Sequence, residues 1–119
     1  MRESILKEKS YAFAIRIVRL NHFLCEEKRE FVLSKQLLRS GTAIGALIRE
    51  AEFGQSRADF RNKMYIALKE ANETDYWLNL LKDTNYLEDK SFRSMSDDCL
   101  ELVRMLVATV KTTEKIKSR

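Results

Sequence analysis

The chain has no proline and only three glycines in 119 residues. Those two residue types end helices and shape the tight turns of strand-rich folds, so their scarcity points to long, unbroken helices. Four segments carry the matching apolar period of 3.6 residues. The first stripe is Phe13, Ile17, Leu20 and Leu24, with Ile15, Val18 and Cys25 beside it. The second is Leu37, Gly41, Ile44, Ile48 and Ala51. Phe60, Met64, Ala67, Ala71, Leu78 and Leu81 form the third, interrupted by Thr74, and Phe92, Met95, Cys99, Leu102, Leu106 and Val110 form the fourth.

Helices are therefore predicted near 4–28, 34–53, 56–84 and 89–116. Ser34 is expected to cap the second, Gly54 to stop it, and Ser56 with Asp59 to open the third as a capping-box variant. Asn85 suits the left-handed position after the third helix, and Asp89 or Ser91 can cap the fourth. Short links force neighbouring helices to run antiparallel. The expected fold is all-α, an antiparallel up-and-down four-helix bundle forming one domain over residues 1–119.

Two of the three glycines, Gly41 and Gly45, fall one turn apart in the second helix, where each costs about 1 kcal/mol relative to alanine. Thr42, Ala43 and Ala46 make the same face small, so another backbone can approach it closely. The approaching element is either the bundle's own first or fourth helix or a neighbouring subunit, and spacing alone does not choose. Apolar residues also extend beyond a single core stripe, at Tyr11, Ile15, Val18 and Cys25 and at Tyr65, Leu68, Tyr76 and Trp77. Tyr and Trp are enriched at subunit interfaces, so self-association is expected, with Gly41, Gly45 and Trp77 as packing or assembly residues.

Chemistry leaves few candidates. His22 is the only histidine, which excludes a di-iron bundle with two Glu-x-x-His motifs, and it reads as a surface residue. Cys25 and Cys99 are too few for a disulfide scaffold and read as reduced thiols. The N-terminal "MRESILKEKS" has charges where a signal peptide needs an apolar core, and no run approaches a bilayer span. A cytoplasmic protein without cofactor or membrane contact is expected. Glu50, Glu70 and Glu73 could converge on magnesium, as in an all-α phosphohydrolase, or could instead form ion pairs with Arg39, Arg49 and Lys69. The net charge of +4 mildly favours acidic partners. Arg57, Arg61 and Lys63 form a candidate nucleic-acid patch, and Lys111, Lys115, Lys117 and Arg119 a second that also complements a helix C-terminus. Ordinary solvated surface is the competing reading for both.

One long stretch, "LSKQLLRSGTAIGALIREAEFGQSRADFRNKMYIALKEANETDYWLNLL", resembles the core of the 23S rRNA intervening-sequence protein family, the four-helix-bundle proteins. The resemblance rests on "SKQLLRSGT", "AIGA", "REAE", "SRADF" and "IALKEANET" before "YWL". It marks Arg39, Gly41, Glu50, Ser56, Asp59, Glu70 and Glu73 as family features, acting as caps, packing points and ion pairs. Leu47 departs from a pattern that usually has asparagine, which implies a drier contact there. The resemblance implies a non-enzymatic bundle assembled as a homopentameric ring. A more distant similarity to accessory proteins of diversity-generating retroelements implies contact with RNA or DNA and with a reverse transcriptase.

Overall fold

The structure, a computed structural model, describes the backbone of residues 2–118 and the side chains of residues 5–114. Four helices follow one another: α1 (Arg2–Glu26), α2 (Leu33–Glu52), α3 (Arg57–Asp83) and α4 (Asp89–Ser118). Each packs on the next, α4 returns to touch α1 more lightly, and α1 and α3 stand at diagonal corners. The bundle measures 51 × 22 × 21 Å. Its helix ends agree with the expected ones to within two residues.

The four predicted stripes meet along one axis. Phe13, Ile17, Leu24, Leu37, Ile44, Ile48, Leu78, Leu81, Leu102 and Leu106 are all buried. Each such side chain contributes roughly 1.5–3 kcal/mol on leaving water. Leu20, Phe60 and Phe92 pack at the edge of this core, and so does Leu47, which makes the dry contact expected of it. Thr74 does not break the third stripe. Its hydroxyl meets that of buried Ser40 at 2.9 Å and donates to the Glu70 carbonyl at 2.8 Å, so its polarity is satisfied inside the core.

The turns follow the sequence in two places and correct it in a third. Ser56 accepts from the Asp59 N–H at 3.1 Å, while the Asp59 carboxylate reaches back to the Gln55 N–H. Asn85 takes the left-handed conformation, with φ of 69°, after α3. Ser34, however, does not cap α2. It lies inside the first turn, buried, and its hydroxyl donates to the Glu30 carbonyl at 2.8 Å. The cap is Glu30, whose carboxylate accepts from the N–H groups of Val32, Leu33 and Ser34 at 3.2, 3.0 and 2.7 Å. A carboxylate four residues upstream can reach the orphan donors only because Arg29 turns the chain with φ of 55°.

Burial alone would raise the Glu30 pKa, but the N–H bonds from Leu33, Ser34 and Val32 outweigh it and hold the pKa below the ordinary 4.5. A depressed carboxylate pKa stabilises the fold above the unfolded value and loses that contribution as pH falls through the folded value. Glu30→Gln should therefore cost about 1–2 kcal/mol at neutral pH, the usual range for a lost cap. Between pH 5 and pH 3 the variant should shed less stability than the parent. Thermal melts of both across that range would show parallel losses if Glu30 has no such role.

Candidate functional site

The two glycines of α2 both face α1, yet they do different things. A Cβ on Gly41 would come within 2.7–2.9 Å of three Ile17 side-chain carbons, closer than carbon atoms can approach. A Cβ on Gly45 would meet Ser10 at 3.4 Å, an ordinary contact. Gly41 thus makes room for the Ile17 side chain, so the bundle's own α1 fills the groove there, while at Gly45 the nearest atoms belong to the Ser10 backbone and hydroxyl. Around Gly45 the helices leave an open slot of about 800 Å³, lined among others by Ser10, Tyr11, Ala14, Thr42, Gly45, Ala46 and Phe53.

Charge around the slot is largely paired. Lys7 binds Glu52 at 3.2 Å, and Lys63 binds Glu50 at 2.9 Å. Arg49 lines the slot, is exposed, and has no ion-pair partner among the described residues. The basic trio Arg57, Arg61 and Lys63 does not form one patch. Arg61 turns toward α4 and Glu114 at 3.4 Å, whereas Lys63 turns toward α2 and Glu50. Their separation of two residues places them on opposite flanks of α3, an angle that counting cations along the chain ignores. Arg57 is exposed in the first turn. Lys111 is exposed on α4, and the side chains of Lys115 and Lys117, with all of Arg119, lie outside the described residues.

The carboxylates separate in the same way. Arg39 bridges Glu70, at 3.2 Å, and Glu73, while Glu50 belongs to Lys63. Among the described residues no group of three His, Cys, Asp or Glu is placed to hold a metal ion. Glu73 also accepts from the Trp77 indole N–H at 3.0 Å, and Trp77 stands edge-on to Tyr76 with ring centroids 5.0 Å apart. The Trp77 bond is the chief cause of a lowered Glu73 pKa, aided by Arg39. Trp77 is half-buried against the core, so this network ties α2 to α3 within the chain. Cys99 is fully buried, and burial first, then Asp75 and Asp98, push its thiol up to about 12. It stays protonated and inert. Cys25 is half-buried beside Ser34, and His22 is exposed.

Large apolar side chains do remain in water. On α1 these are Ile5, Tyr11, Ile15, Val18 and Phe23, on α3 Tyr65 and Tyr76, on α4 Leu100, and between α1 and α2 Phe31 and Val32. Phe53, at the turn after α2, is 80% exposed. Among the described residues no helix is long and apolar enough to cross a membrane.

The four helices define an all-α protein of the four-helix-bundle class. The chain belongs to the 23S rRNA-intervening sequence protein family, whose model matches residues 2–108. It is similar to a solved protein of unknown function from the S23 ribosomal protein family of Bacteroides thetaiotaomicron VPI-5482. The two are 55% identical over 93% of this chain and 99% of that one, with a TM-score of 0.92. No curated protein matches the chain.

Proposed function

We propose that the chain is a non-enzymatic bundle that assembles head to tail into a ring, a homopentamer, and presents repeated cations to RNA or DNA. A protein that processes nucleic acid, such as a reverse transcriptase, would then be recruited to the same ring. The observation that carries the reading is the concentration of the helices' exposed apolar side chains on α1 and α3, which stand at diagonal corners; α4 exposes only Leu100 among the described residues. A two-fold dimer uses one face twice, whereas two different faces joined head to tail generate a ring where the rotation between neighbours closes and a filament where it does not. Five copies at +4 each would carry +20 around one axis, which favours multivalent contact with a phosphate backbone. The carboxylates Glu50, Glu70 and Glu73 are held by cations in two separate groups, so the phosphohydrolase alternative has no geometric support.

Light scattering at micromolar concentration should report a mass near five chains, and a monomer would end the assembly reading. Fluorescence anisotropy with labelled RNA and DNA should show binding with little sequence preference that weakens steeply as salt rises. Alanine at Arg57, Arg61 and Lys63 together should weaken it without dissolving the oligomer. Arg57 should account for most of that loss, since the other two cations already have partners. An oligomer that binds neither RNA nor DNA at low salt would leave only the protein-scaffold role.

A further inference from the structure

Gly45 lies against the α1 backbone at Ser10 with room for no more than a methyl group. It costs helix stability, and unlike Gly41 it is not required by the approach of α1, because a methyl group there would fit against Ser10. Beside that contact a slot opens between α1 and α2, with Ala14 and Ala46 among its small lining residues. Two aromatic rings line the slot, and both stand largely in water: Tyr11 and Phe53. Of the large apolar side chains described, Phe53 is the most exposed. After the pairs Lys7–Glu52 and Lys63–Glu50 are set aside, two charges line the slot without an ion-pair partner: the Arg49 guanidinium, and the Asp59 carboxylate, which accepts from the Gln55 N–H at the start of α3. A slot with flat rings, small apolar floor and one free guanidinium complements a planar ring joined to an anion.

Resting on the nucleic-acid reading above, we infer that this slot takes an unstacked base of a single-stranded nucleic acid. The base packs against Tyr11 and Phe53, and an adjacent phosphate meets Arg49. A duplex keeps its bases stacked and paired and offers the slot only its backbone, so single strands are selected. Sequence preference stays weak, because every base has a π-face and the one buried polar side chain lining the slot, Ser10, donates its hydroxyl proton to the Lys7 carbonyl.

The test uses the intact protein with fluorescein-labelled twelve-nucleotide probes: single-stranded RNA, single-stranded DNA, the matching duplexes, and an abasic strand of equal charge. Single strands should bind about tenfold more tightly than either duplex or abasic strand. Phe53→Ala should remove most of that difference, since base stacking on one aromatic is worth roughly tenfold in affinity. Arg49→Gln should lower the slope of log affinity against log salt by about one. Ala46→Leu, at an exposed position with good helix propensity, should fill the slot and abolish the single-strand preference while melting and mass are unchanged. If single strands bind all variants as they bind the parent, nucleic-acid binding stands and the slot is not its site. Equal affinity for abasic and normal strands overturns base insertion. Loss of the oligomer in Ala46→Leu assigns the slot to a subunit contact and overturns the inference, and no binding of any probe overturns both readings.

Discussion

Gly41→Val is expected to cost about 3 kcal/mol, the upper end of the range for overpacking a core. That corresponds to a fall in Tm of roughly 12 °C for a domain of this size. The reason is local. Its Cβ would intrude to 2.7–2.9 Å on Ile17, and Ile17 is fully buried and β-branched, so no free rotamer can carry it aside. The backbone of α1 must shift instead. Gly45→Ala, one turn away, should be neutral or stabilising by up to ~1 kcal/mol, because helix propensity improves and the new methyl meets Ser10 at ordinary distance. Pairing Gly41→Val with Ile17→Ala should recover part of the loss, a coupling that a thermal-melt double-mutant cycle reads directly. Equal melts for Gly41→Val and the parent would show that α1 yields more easily than its packing implies.

The contrast between these glycines marks where sequence stops being informative. Both occupy the same helix face, and the period that located the stripe assigns them the same role. Only the crossing of α1 over α2, which no single-helix pattern contains, separates a glycine that an Ile17 side chain requires from one with room for a methyl group against Ser10. Helix positions, by contrast, were legible because little in the chain competes with them: proline is absent and the apolar period runs through four segments with Thr74 as its interruption. Glu30 escaped notice because its sequence neighbourhood, "CEEKREF", looks like a solvated charge run. Its value as a cap depends on the left-handed turn at Arg29, a residue type that seldom adopts that conformation. Leu6 and Leu87 joined the core from outside the predicted stripes for a related reason, since a helix's first turns and a short link are buried by what packs over them. The basic trio divides because Lys63, two residues beyond Arg61, winds to the other flank of α3, while Arg57 and Arg61, four residues apart, share one face. Pairing with Glu114 and Glu50 is tertiary information.

The largest functional effect should follow from breaking assembly. Ile15→Glu combined with Val18→Glu places two carboxylates on the bare face of α1, where the parent side chains are 38 and 48% exposed. The folded chain loses little by this, because both positions already meet water. An interface that must cover them would bury unpaired charge, which is far more costly than losing the apolar contact. The mass should fall from about five chains to one, with helical content retained. Nucleic-acid affinity should fall by roughly 10²–10⁴, the scale of lost multivalency, even though no cation has been removed. Tyr65→Glu with Tyr76→Glu on α3 should do the same, because a ring needs both faces. Mixing the two variants then decides the geometry. The α1 variant keeps an intact α3 face and the α3 variant an intact α1 face, so together they can form one sound contact and no second. Head-to-tail assembly predicts that each variant alone is monomeric and that the mixture is dimeric. If the α3 variant alone already dimerises, α1 pairs with itself and the assembly is a two-fold dimer, which excludes the ring.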